Sequence, residues 1–563
     1  MDYTYDLVGK VLQVNDPTGT YAFAYDNMGR LIGTTTSYAF LSGTLTNSYS
    51  YDADSNRTGF TAPDGSTNAY SYDTLNRLGT LANSWAGSFG FSYDALSRRT
   101  QMTRPNGIAT NYSYDNLSRL LSILHQAGGS TIDGASYTLD AAGNRLSNTN
   151  WLAGATTNYG YDSIYELLQA TQGANLTENY TYDPVGNRLS SLAASYSVNS
   201  SNEMTAAGGA MSTYDANGNT TSKSDSTGTT TYAWDFENRL TSVTLPGTGG
   251  TVTFKYDPFG RRIEKISPSA TSIFVYDGSN LIEEVNSSGA AVARYSQGLN
   301  IDEPLAMLRS NATSFYHSDG LGSVTSLSNV SGVLVQTYSY NSFGKQTSSS
   351  GLLTNPVQYT ARELDSETNL YFYRARYFDP STGRFLSEDP ARFLSGVNFY
   401  AYVHNRPTLL RDATGRIAWG YGVGGAGFLS GGWAFLAGGV EGSFLYVQDS
   451  QGNSGILDCR GGGLGAGALG AGANVQGVSA VCPDCNSICD MQGTFGGVEG
   501  FAGAGPGASK GGGATVSATG VTVFGQYGVG GGAGGGVIGI VGDCTLIWKK
   551  QDCKSAPCQA QRK

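Results

Sequence analysis

Tyr70-Ser-Tyr72-Asp73-Thr-Leu-Asn76-Arg77-Leu78 decides how this chain folds. Side chains alternate along an extended strand, so Tyr70 and Tyr72 share one face. Asp73 then opens a turn. Its carboxylate can accept nearby backbone N–H groups, and Asn three residues on tolerates positive φ. Arg77-Leu78 starts the return strand. The nine residues read as the tip of a β-hairpin.

Working outward, the pattern recurs as Phe23-Ala-Tyr25-Asp26-Asn-Met-Gly29-Arg30-Leu31, and again at Tyr112-Ser-Tyr114-Asp115, Tyr180-Thr-Tyr182-Asp183 and Phe254-Lys-Tyr256-Asp257. The motif aspartate stands at 6, 26, 52, 73, 94, 115, 140, 162, 183, 215, 235, 257 and 277. Pro184 and Pro258 occupy the second turn position, where φ near −65° is wanted. One hairpin of about 20 residues is too small to bury its own face, so each must pack on its neighbours. The aromatics supply that burial, roughly 150–250 Å² apiece. The Tyr-Asp pairs are read as structural, with sugar binding by exposed tyrosine faces as the minor alternative.

The composition excludes several classes. The 563 residues carry a net charge of −10, a poor match for a broad nucleic-acid-binding surface. Only three histidines occur, His125, His317 and His404, which leaves little for His-based catalysis or metal sites. The chain also changes character after Arg416. Residues 417–563 hold 41 of the 79 glycines, all seven cysteines and three of the 36 tyrosines. The start, MDYTYDLVGK, lacks the basic and apolar regions of a signal peptide. Met1 falls inside a repeat, which suggests a longer parent or a truncated copy.

The array resembles the YD repeats of Rhs proteins, found also in the C subunits of insecticidal toxin complexes, in bacterial wall-associated proteins and in animal teneurins. The resemblance implies an all-β fold: a strip of hairpins coiled into a partial hollow shell. It implies a repeat shell over 1–300, an Rhs-associated core over 301–416, and a variable, Gly-rich, β-type effector domain over 417–563. The core is carried by Tyr359-Thr-Ala-Arg362, Tyr373-Arg374-Ala-Arg376, Asp379-Pro380-Ser-Thr-Gly383-Arg384 and Glu388-Asp389-Pro390. Its end is carried by Asn398-Phe-Tyr400-Ala-Tyr402-Val-His404-Asn405-Arg406-Pro407 and Asp412-Ala-Thr-Gly415-Arg416. In the family this module caps the shell and cuts its own chain just after an Asp-Pro-x-Gly-x element; here that element has Ala413 in place of proline.

By motif position, the resemblance assigns catalysis to Asp389, Asp412 and Arg376, and cleavage to the bond between Arg416 and Ile417. The chemistry is reasonable. Two close carboxylates do not both ionise easily, so one keeps a proton as acid while the other acts as base. The arginine would orient a carboxylate or stabilise an oxyanion. Because the substrate is tethered, a slow single turnover suffices. The bland reading of the same residues is turn chemistry and strand alternation.

No cofactor is expected. Cys482, Cys485, Cys553 and Cys558 could form a thiolate zinc site, although disulfides suit an exported chain better. The tail has no histidine, which excludes His-dependent nucleases. Residues 417–440 are uncharged and long enough to span a bilayer, but rich in helix-breaking glycine. A membrane-inserting effector is therefore the alternative to a plain β domain. The expected partners are the tail itself as cargo, an immunity protein, and a secretion-system or toxin-complex component. The expected location is secreted or cell-surface by a specialised route. The rival reading is a surface adhesion or carbohydrate-binding protein with an inert tail.

Overall fold

The computed structural model describes residues 1–192 and 194–416, followed by the strand segments Trp419–Gly420, Ser443–Gln448, Ser454–Gly465, Ala473–Val481, Gly493–Gly500, Thr522–Val529 and Val537–Lys549. The chain divides into two compact units, Met1–Gly422 and Val423–Lys563.

The first unit is dominated by one 34-stranded sheet in which each strand pairs antiparallel with the next in sequence, from Asp2–Tyr5 to Gln346–Ser350. The hairpin at Asp73 shows why the motif folds as it does. Asp73 Oδ1 accepts the N–H groups of Leu75 (2.9 Å) and Arg77 (3.0 Å), and Oδ2 binds Arg77 Nε at 2.7 Å. Asn76 takes φ +56°. Tyr72 pairs with Leu78 but Ser71 with Thr80, so Gly79 is an extra residue, a bulge on the return strand. Gly29, Ser97 and Ser118 occupy the same positive-φ place in their own turns.

Two side chains fasten each hairpin to the next. Arg77 Nη1 donates to the carbonyl of Asp94 at 3.0 Å, with its guanidinium over the Tyr93 ring at 4.9 Å. Tyr93 returns the link by donating its hydroxyl to the carbonyl of Leu78 at 3.0 Å. Arg98 repeats this with Asp115 and Tyr114, and Tyr114 donates back to Arg99. Where asparagine replaces the arginine, as at Asn56, Asn187 and Asn219, its amide bonds the motif aspartate and the asparagine of the following turn.

The strip doubles alongside itself. Tyr38 donates to the Phe274 carbonyl (3.0 Å), Arg104 to the Tyr316 carbonyl (2.8 Å), and the Gly320 N–H donates to the Tyr137 hydroxyl (2.8 Å). One apolar cluster joins Tyr21, Phe60, Leu81 and Phe89 to Ile263, Val275, Leu305 and Phe315. The turns extend past those marked in the sequence: Asn199, Asp319 and Asn341 each accept the N–H groups two and four residues on. The sheet therefore crosses residue 300 without a break, and the boundary drawn there has no counterpart in strand pairing.

Residues 359–416 are short strands and turns seated against the strip. A four-stranded sheet runs through Glu363–Asp365, Leu370–Tyr373, Arg376–Asp379 and Arg384–Phe385. Asp365 pairs with buried Arg262 at 2.5 Å, Arg384 donates to Asn187 Oδ1 at 3.1 Å, and the Thr220 hydroxyl donates to the Leu386 carbonyl at 2.8 Å. Tyr373, Phe378, Phe385 and Tyr402 pack edge-on or tilted against one another in the interior.

The described strands of the second unit form a four-stranded and a two-stranded antiparallel sheet. Ile417, Cys482, Cys485, Cys553 and Cys558 lie outside the described residues. Among the described residues no helix is long and apolar enough to cross a membrane.

Candidate active site

Arg376 opens the strand Arg376–Asp379, after a hairpin loop made by Arg374 and Ala375. Its side chain is buried over the face of Phe385, with the guanidinium carbon 3.5 Å from the ring centroid. Every arm of the guanidinium has a partner. Nη2 reaches Asp389 Oδ2 at 2.8 Å and Asp412 Oδ2 at 3.2 Å, Nη1 donates to the Phe399 carbonyl at 2.9 Å, and Nε donates to the Gly415 carbonyl at 2.6 Å. The three side chains named from the sequence thus meet on one nitrogen.

Asp389 is placed by local turn chemistry. Pro390 sits at the second turn position, the Ala391 N–H donates to Asp389 Oδ1 at 2.8 Å, and the Arg392 N–H donates to its carbonyl at 2.9 Å. Its own N–H donates to the Phe399 carbonyl at 3.0 Å. Burial raises the Asp389 carboxyl above its usual range, against the opposing pull of Arg376. Burial likewise lowers Arg376, with the two carboxylates pulling the other way.

Asp412 makes the bend that leads to Arg416. Its Oδ1 accepts three successive N–H groups, from Thr414 (3.1 Å), Gly415 (2.8 Å) and Arg416 (3.1 Å). This one oxygen closes the bend without the proline that the family motif carries at position 413. Gly415 takes φ +71°, and a Cβ there would lie 2.1 Å from the Tyr373 carbonyl oxygen. Only glycine fits so close to the hairpin. The Ala375 N–H completes the contact, donating to the Thr414 carbonyl at 3.2 Å.

Sequence reasoning missed two neighbours. Arg374, quoted there within the motif but given no role, donates from Nη1 to the Ala413 carbonyl. It also pairs with Asp302, Nη2 to Oδ1 at 2.6 Å and Nη1 to Oδ2 at 3.2 Å. Asp302 belongs to the repeat strip and carries no local motif, so nothing in the sequence marked it. No group of three or more metal-ligating acidic, His or Cys side chains occurs among the described residues.

Known proteins share this architecture. The Teneurin YD-shell family model matches residues 140–408, and the RHS Repeat model matches residues 5–39 and 93–131. The tRNA3(Ser)-specific nuclease WapA of Bacillus spizizenii is 32% identical over 277 residues, covering 46% of this chain and 12% of that protein. Double-stranded DNA deaminase toxin A of Burkholderia cenocepacia is 25% identical over 391 residues, covering 63% of this chain and 27% of that protein. Among solved structures, TcdB2-TccC3 without the hypervariable C-terminal region superposes with a TM-score of 0.61 at 20% identity, over 73% of this chain and 24% of that one. The chain thus spans between about an eighth and a quarter of the length of these relatives.

Proposed function

The chain belongs to the RHS/YD-repeat family, and we propose that it serves as the shell of a delivered toxin whose core cuts the backbone at Arg416–Ile417 to free residues 417–563. The observation that carries this reading is the convergence of Asp389, Asp412 and the Gly415 carbonyl on Arg376, immediately ahead of Arg416. A carboxyl whose hold on its proton is strengthened by burial, a carboxylate-made bend and a fixed cation are parts that suit amide hydrolysis.

In the proposed reaction, water adds across the peptide bond: its oxygen joins the Arg416 carbonyl carbon, and a proton reaches the Ile417 nitrogen as the C–N bond breaks. Asp389, whose buried carboxyl holds its proton above the ordinary range, supplies that proton. Asp412 holds the bend with Oδ1, leaving Oδ2 beside Arg376 to take a proton from the attacking water. The tail is then the cargo. Relatives named for such different acts as tRNA cleavage and DNA deamination fit a shared shell with exchangeable passengers. The adhesion alternative is weaker, because motif tyrosines such as Tyr72, Tyr93 and Tyr182 direct their hydroxyls into carbonyls of the preceding hairpin.

The test is a denaturing gel of the purified full chain, with mass determination of the fragments. Two fragments with termini at 416 and 417 are expected, and a single band from Asp389→Asn or Asp412→Asn. One full-length band from the unsubstituted protein would sink the proposal.

A further inference from the structure

Two arginines two residues apart hold the bend ahead of Arg416. Arg376 takes the Gly415 carbonyl, and Arg374 takes the Ala413 carbonyl. Their supports differ. Arg376 is held by Asp389 and Asp412, both in the core. Arg374 is held by Asp302, in the turn between the strands Ala291–Gln297 and Pro304–Arg309 of the repeat sheet.

The backbone around this contact is costly. Arg374 takes φ +57° in a two-residue hairpin loop, a place that normally goes to glycine. A left-handed arginine is strained, so an ordinary loop position does not explain it. Asp302 is also left-handed, at φ +59°, with its side chain 2% exposed. The same carboxylate accepts Arg362 Nη1 at 2.6 Å, and Arg362 in turn donates to the Phe372 carbonyl from Nε and Nη2. Asp302 therefore anchors the strand before the hairpin loop through Arg362 and the loop itself through Arg374. Burial pushes the Asp302 carboxyl up, but Arg374 and Arg362 pull harder, and its net position is below the ordinary value. Arg374 further donates to the Ser279 carbonyl at 3.2 Å, a second tie to the strip.

We propose that Asp302 is a positioning residue for self-cleavage, acting through Arg374, so that the cut is made only when the repeat strip is seated on the core. The inference rests on the self-cleavage reading given above. Without Asp302, Arg374 loses the carboxylate that aims it, the Ala413 carbonyl is released, and the bend at Asp412–Arg416 loses one of its two arginine grips. The chain is thereby cut after its wall has assembled, not before.

The experiment uses the full-length chain, made by cell-free synthesis and sampled over time on denaturing gels. Asp302→Asn and Arg374→Met should each slow cleavage by about tenfold or more, since a displacement of about 1 Å can cost a hundredfold. The double variant should be no slower than the slower single, because both remove one link. Arg374→Lys keeps a donor for Ala413 and should recover much of the rate lost in Arg374→Met. If the unsubstituted chain stays whole, the self-cleavage reading itself fails. If it cleaves and Asp302→Asn keeps pace with it, this inference fails alone. Independent, multiplying losses in the double variant would also overturn it, since Asp302 would then be supporting the fold and not aiming Arg374.

Discussion

Arg376 donates from Nε to the carbonyl oxygen of Gly415 at 2.6 Å. The bond holds the plane of the Gly415–Arg416 peptide. Arg376 thus does two things at once. It holds the segment that leads to Arg416, and it keeps two buried carboxylates side by side that would otherwise repel.

The first prediction concerns pH. The Asp389 carboxyl is raised by burial, so its protonated form persists above the ordinary carboxylate range and is lost as pH rises through the folded value. If that proton is donated, the cleavage rate falls with increasing pH above this point. Time courses of freshly synthesised chain at a series of pH values check it; a rate that is flat or rising from acid to alkaline pH argues against Asp389 as the acid.

Gly415→Ala is predicted to block cleavage without unfolding the strip. The added methyl would sit 2.1 Å from the Tyr373 carbonyl oxygen and require a strained φ. Displacing the bend by about 1 Å should reduce the rate by about a hundredfold. Circular dichroism should be unchanged while the gel shows one band; normal cleavage would mean that the bend has room to adjust.

Arg98 provides a test of the fastening between hairpins. Arg98→Ala removes the pair with Asp94, the bond to the Asp115 carbonyl and the contact with the Tyr114 ring, for a local loss of roughly 1–2 kcal/mol. Arg98→Asn should cost about half as much, because asparagine serves at Asn56, Asn187 and Asn219. Amide hydrogen exchange across residues 94–120 would rank the two, and protection in Arg98→Ala equal to that of the unsubstituted chain would show that the arginine is dispensable.

Glu283 should make the strip less stable in alkali. Burial and the neighbouring Asp64 carry its carboxyl from 4.5 to about 8, with Arg294 opposing. The folded state holds this proton more tightly than the unfolded chain does. The contribution is therefore full below the unfolded value and is lost as pH climbs through about 8. Glu283→Gln should flatten that decline, by on the order of 2 kcal/mol between about pH 5 and pH 9. Thermal melts at the two pH values decide it; an unchanged pH dependence would mean that the shift is relieved in solution.

Much of this molecule is legible because its information is local. Tyr-x-Tyr-Asp sets strand and turn within six residues, and the structure uses those aspartates as turn acceptors at Asp26, Asp73 and Asp94. Turns at Asn199 and Asn341 escape such a reading because asparagine replaces the aspartate while making the same Oδ1 bonds. The trio at 376, 389 and 412 was located through family likeness; its spacing alone looks like ordinary turns and strands. Asp302 and Arg374 are illegible for a plain reason: they lie 72 positions apart and meet only when core and strip are packed together.

The links between hairpins bear on how such a chain changes length. Units of the Arg77 kind carry one bond forward, from the arginine, and receive one back, from the next tyrosine. Recombination that inserts or deletes a whole unit leaves every surviving turn closed, while a cut within a unit strands both partners. The contacts between distant parts of the strip, such as Tyr38 with Phe274, set the limit on such changes, since an added unit would shift them out of register.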